Sequence, residues 1–130
     1  MKTQVKELTK AEEQVMQILW KMDKGFVKDI VDQFEDPKPA YNTVSTIIRI
    51  LVKKGVVSYN NYGSTYEYFP LISREEYTSL YLGSFVNRYF GDSYKSLVSF
   101  FASDDNISVQ ELEEMKKLVE VEINKKKKNG

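Results

Sequence analysis

Residues 41–70 read YNTVSTIIRILVKKGVVSYNNYGSTYEYFP. Val44, Ile47, Ile48, Leu51 and Val52 recur at helical spacing, which predicts a helix over 41–54 with these side chains inward. Asn42, Ser45, Thr46, Arg49 and Lys53 fall on the opposite, polar face. Lys53-Lys54-Gly55 then supplies a cationic last turn and a glycine just beyond it, a usual helix stop. Two runs rich in Val, Tyr and Phe follow, 56–60 and 65–69, with Asn61-Tyr62-Gly63-Ser64 between them as turn material. Strand, turn, strand in that order predicts a hairpin, closed by Pro70.

Upstream, Thr9-Lys10-Ala11-Glu12 has the spacing of a capping box. Ala11, Val15, Ile18, Leu19 and Met22 continue from it as an apolar stripe, and Lys24-Gly25 is expected to end that helix. Phe26 reads as a short bridging strand. Val27, Ile30, Val31 and Phe34 mark a second helix over about 27–35, stopped by Pro37 and Pro39. Three helices and a hairpin within about 70 residues form a winged helix-turn-helix pattern.

Downstream the chain reads as helical. Ser73-Arg74-Glu75-Glu76 is a second capping box and opens a helix to Phe90, which Gly91-Asp92 breaks. Residues 94–101 form a short apolar helix, and Ser108-Val109-Gln110-Glu111 is a third box. The helix it opens carries Val109, Leu112, Met115, Val119 and Ile123 in register, with Lys125–Lys128 as a solvated tail. The first of these helices has apolar side chains over too wide an arc for one contact, among them Tyr77, Tyr81, Phe85 and Tyr89. With so few turns to bury this surface internally, a second copy of the chain is the simplest partner. Tyr77, Tyr81, Phe85, Tyr89, Leu112, Met115 and Val119 are therefore assigned to a dimer contact. The aromatic stripe is read as packing, not as a ligand pocket, and no small-molecule ligand is expected. The fold class is mainly α with a small β-hairpin: a winged-helix domain over 1–72 and a helical dimerisation region over 73–130.

Composition narrows the chemistry. The 130 residues include no cysteine and no histidine, which removes disulfides, thiolate nucleophiles, imidazole bases and the usual zinc ligands. Hence no catalytic residues, metal or cofactor are assigned and the chain is not expected to be an enzyme. The pairs Glu12-Glu13, Glu75-Glu76 and Glu113-Glu114 point about 100° apart on their helices and are structural. A hydrophobic share of 42% excludes a disordered chain. No apolar run reaches the roughly 20 residues of a membrane span. The opening residues also lack a leader's apolar core. A cytoplasmic location is the expectation.

Lys and Arg total 19, as do Asp and Glu, so nucleic-acid binding must rest on one local face. The polar side of the 41–54 helix offers that face. Asn42 can pair with adenine, Thr43, Ser45 and Thr46 can meet thymine methyls or phosphates, and Arg49 and Lys53 can hold guanine or the backbone. At the hairpin tip, Asn61 and Tyr62 can donate to phosphate. Lys10, Lys28, Lys38 and Lys54 are further phosphate candidates. The expected partner is double-stranded DNA. A winged-helix adaptor that binds protein instead of DNA is the alternative, and the neutral charge and uncharged hairpin tip suit it.

Four segments together resemble the penicillinase-repressor family of transcriptional regulators (BlaI/MecI/CopY type). They are LTKAEEQVMQILW at 8–20, YNTVSTIIRILVKKGVV at 41–57, YEYFPLISREEY at 66–77, and LVSFF at 97–101 with ISVQELEEM at 107–115. The resemblance implies a homodimeric repressor of the antibiotic-response type on a palindromic operator. It also implies relief by proteolysis in the C-terminal region through a membrane-bound sensor protease. The bond matching the family's cleaved one is Phe100-Phe101, and Phe100 stands where the family has asparagine. The copper-responsive branch binds metal through C-terminal cysteines, which this chain does not have.

Overall fold

The Thr9 hydroxyl accepts from the Glu12 amide at 3.1 Å and the Glu12 carboxylate accepts from the Thr9 amide at 3.0 Å, so the expected capping box starts α1 (Lys10–Met22). This computed structural model describes residues 7–130. After α1 come α2 (Val27–Asp32), α3 (Tyr41–Lys53), β1 (Val57–Tyr62), β2 (Thr65–Pro70), α4 (Arg74–Phe90), α5 (Tyr94–Ala102) and α6 (Val109–Asn129). The chain is mainly helical with one two-stranded antiparallel sheet. It divides into two compact units between Tyr81 and Leu82, later than the expected boundary at 72/73.

In the first unit, Val15, Met16 and Leu19 of α1, Ile30 of α2, and Val44, Ile48 and Leu51 of α3 are fully buried together. Val56, Val57 and Tyr68 bring the base of the hairpin into the same core. Each such aliphatic side chain contributes roughly 1.5–3 kcal/mol by leaving water. Two chain stops differ from expectation. α1 ends on Asp23, at φ 71°, whose amide bonds to the Leu19 carbonyl. Gly25 instead pairs antiparallel with Tyr68, exchanging both backbone hydrogen bonds at 2.9 and 2.8 Å, so the bridge falls on Gly25 and not on Phe26. α2 is also shorter than expected, because the chain turns after Asp32.

The hairpin is longer than its sequence signals indicate. Asn61 pairs with Tyr66 and Tyr62 with Thr65, so both belong to β1, and only Gly63 and Ser64 make the turn. Gly63 sits at φ 71°, the positive value that the first turn position of a type II′ hairpin needs.

Tyr77 corrects the assignment of the aromatic stripe. It is buried in the core of the first unit, not offered to a second chain. Its hydroxyl accepts from the Leu8 amide at 2.9 Å, and its ring lies 6.1 Å from that of Trp20. The Trp20 indole N–H donates to the Ile72 carbonyl at 2.8 Å. Burial raises the Tyr77 phenol pKa above its ordinary value, with the nearby Glu13 and Glu7 carboxylates adding to the rise against the Leu8 amide.

In the second unit Val86 is buried, and Phe90 meets Phe85 at 5.8 Å and Phe100 at 5.6 Å between ring centroids. The Ser73 and Ser108 capping boxes form as expected, with all four bonds between 2.9 and 3.1 Å. Residues 125–128, expected as a tail, continue α6 instead. Lys126, Lys127 and Lys128 stand in its last turn, where the helix dipole favours cations. No helix among the described residues is long and apolar enough to cross a membrane.

Candidate nucleic-acid interface

The inward stripe of α3 fixes which side of the helix water can reach. With Val44, Ile48 and Leu51 fully buried, Asn42, Thr43, Thr46, Arg49 and Lys53 are exposed. Ala40 caps the helix without a side-chain bond, and its first turn carries no acid. The backbone N–H groups there, at the positive end of the helix dipole, suit an anionic partner.

Ser45 departs from the expected face. It is only 8% exposed, and its hydroxyl accepts from the Arg49 guanidinium at 3.0 Å. Its role is to orient Arg49 one turn further on. The Thr46 hydroxyl proton is also engaged, donating to the Asn42 carbonyl at 2.9 Å. That leaves the Thr46 methyl and the oxygen lone pairs for an incoming base edge. Two large side chains were missed in the sequence reading: Tyr41, 57% exposed, and Ile50, 39% exposed. Tyr41, Ser45 and Arg49 lie at i, i+4 and i+8, a spacing that could have revealed Tyr41.

Asn61 and Tyr62 are exposed on β1. The Tyr62 ring lies 6.1 Å from Phe26, and its hydroxyl is 3.5 Å from Glu67 Oε1. Lys10 and Lys28 are exposed. Two other lysines are occupied in the fold. Lys38 donates to the carbonyls of Phe34 at 2.6 Å and Asp32 at 3.2 Å, satisfying the end of α2. Lys54 lies 2.7 Å from Glu12 Oε1. Burial alone would push the Glu12 carboxyl up, but the Lys54 ammonium and the Thr9 groups outweigh it and hold the pKa below that of an ordinary glutamate. This pair pins the end of α3 to the start of α1. At the edge of the same surface, burial raises the Tyr68 phenol, while the Arg49 charge opposes the rise.

Three helices, a paired hairpin and a polar face on the third helix define a winged helix-turn-helix protein. The chain belongs to the penicillinase repressor family, whose profile matches residues 8–121. It is similar to the penicillinase repressor of Bacillus licheniformis, 26% identical over 124 residues, covering 95% of this chain and 97% of that one. The methicillin resistance regulatory protein MecI of Staphylococcus aureus (strain N315) is 25% identical over 114 residues, covering 87% and 93%. The penicillinase repressor of Staphylococcus aureus is 28% identical over 121 residues, covering 92% and 95%. Among solved structures, the solution structure of the DNA-binding domain of the repressor BlaI matches with a TM-score of 0.50 at 21% identity. It covers 58% of this chain and 93% of that domain, a likeness of fold.

Proposed function

We infer that this chain is a cytoplasmic transcriptional repressor that binds double-stranded DNA as a homodimer on a palindromic operator. The observation that carries the reading is the two-sidedness of α3. One side is sealed in the core, and the other offers Asn42, Thr43, Thr46, Arg49 and Lys53 to solvent. A helix of this kind fits a major groove, where Asn42 can make a bidentate contact to adenine. The relatives named as penicillinase repressors support the same reading.

The dimer is supported by α6. A 21-residue helix with no buried residue, carrying Leu118 at 68%, Val119 at 57% and Ile123 at 45% exposure, is poorly stable alone. A second copy would cover this surface, with Tyr81, Phe85, Tyr89, Leu112 and Met115 contributing. Two-fold pairing would then match a dyad operator. Relief by a membrane-bound sensor protease is part of the proposal, with Phe100-Phe101 as the scissile bond. Phe100 is 68% exposed but lies within α5, so α5 must unwind locally to enter an extended protease cleft.

Footprinting and anisotropy titration on the protein's own promoter test this reading. Protection should be two-fold symmetric. The salt dependence should correspond to about 4–8 phosphates per dimer, at about 0.9 log units each. A slope steeper than about −10 would contradict this count of contacts, and no salt-sensitive binding to any promoter fragment would refute the reading and favour the adaptor.

A further inference from the structure

Beside the solvent face of α3 lies a groove of about 780 Å³ that separates the helix from the hairpin. Tyr41, Ser45 and Arg49 form its α3 wall, one turn apart, and Tyr66 and Tyr68 form the opposite wall. The rings on that wall are fixed. Tyr66 stacks on Tyr59 with centroids 4.4 Å apart and meets the buried Tyr68 edge-on at 6.2 Å. Tyr59 also meets Tyr68 edge-on at 5.7 Å. Tyr41 and Tyr66 are nevertheless 57% and 40% exposed. Among the described residues, neither hydroxyl is engaged in a hydrogen bond. The charged groups lining the groove are Lys28, Arg49 and Asp29, a balance of one positive charge.

The hairpin sequence makes this surface unusual. Residues 57–70 contain four tyrosines, one glutamate and no lysine or arginine. A hairpin beside a DNA-reading helix commonly holds phosphate by cations, and this one has none to use. If α3 enters a major groove, the DNA strand on its hairpin side must pass along the groove between helix and hairpin.

We propose that Tyr41 and Tyr66, with Arg49, grip the sugar–phosphate backbone of that strand. The two phenols donate to phosphate oxygens, the rings lie against deoxyribose, and Arg49 supplies the ionic contact from α3. The proposal rests on the DNA-binding reading and adds to it that the hold on the strand is mostly uncharged. Neutral donors displace no condensed counterions. Their contribution therefore stays constant as salt rises. Backbone contacts also carry no base information, so the grip acts alike on all sequences.

Anisotropy titrations of the full-length protein test this, on its promoter duplex and on an unrelated duplex of equal length, across a salt series. Tyr41→Phe and Tyr66→Phe keep the ring and remove the donor. Each is expected to weaken binding to both duplexes about ten- to hundredfold per bound subunit, the range for one hydrogen bond to a charged group, with the salt slope unchanged. Arg49→Ala, the charge control, should lower the slope by about one unit per bound subunit. If both phenylalanine variants bind as the wild type does while Arg49→Ala is impaired, the tyrosine grip is wrong and the DNA reading stands. A loss confined to the promoter duplex, or a changed slope in the phenylalanine variants, also overturns it. Failure of the wild type to bind either duplex overturns both. Circular dichroism of each variant separates loss of contact from loss of fold.

Discussion

Replacing Lys54 by methionine keeps most of the aliphatic stem and removes the ammonium 2.7 Å from Glu12 Oε1. Glu12 is 5% exposed, so its carboxylate would keep the Thr9 amide but lose its counter-charge. Breaking one side of a fully buried pair costs about 3–5 kcal/mol, and a charged hydrogen bond is worth about 1.5–3 kcal/mol. The Lys54 side chain is 24% exposed, and water can reach that end of the bridge. The expected loss is therefore about 2 kcal/mol at neutral pH, or roughly 8 °C in Tm. Urea denaturation at one fixed protein concentration measures it, because self-association also shifts apparent stability.

The pH dependence identifies the cause. In the wild type the Glu12 pKa lies below that of an ordinary glutamate. A depressed carboxylate stabilises the fold fully above the unfolded value, and the contribution fades as pH falls through the folded one. In the variant the charge partner is gone and burial dominates, so the Glu12 pKa rises. The variant then gains relative stability as the carboxyl takes up its proton. The gap between the two proteins should be widest near pH 7 and should narrow as the pH drops through the carboxylate range. Adding Glu12→Gln to the Lys54→Met protein should recover part of the loss at pH 7. A gap that is equal at pH 7 and pH 4, or a double variant no more stable than Lys54→Met, would refute the reasoning.

Tyr77→Phe should lower stability by about 1–2 kcal/mol in urea titration, because the Leu8 amide loses its acceptor at 2.9 Å in a buried setting. Since Trp20 packs on the Tyr77 ring, its fluorescence should follow the same transition. Leu118→Glu with Val119→Glu should move the protein from dimer to monomer in sedimentation and weaken operator binding, while the melting of the first unit changes little.

Much of the fold could be read from neighbours along the chain. The boxes at Thr9, Ser73 and Ser108 are bonds between residues three apart, and the buried Val44, Ile48 and Leu51 follow from helical periodicity alone. Such features depend on geometry within about one turn, so residue type and spacing suffice to find them. The polar face of α3 was legible for the same reason, apart from Ser45 at its margin.

Contacts between distant residues were not legible. Glu12 reads as a surface acid in a first turn, yet it is buried, because folding places Lys54 against it from 42 positions away. Tyr77 belongs by spacing to an aromatic stripe, yet the Leu8 amide, 69 positions away, and the Trp20 ring hold it in the first unit. Tyr41 gains significance only when the hairpin lies opposite it across a groove. Periodicity names the side of an element that turns inward. Which groups meet there, and which polar atoms are left facing water, is set when the elements close on one another.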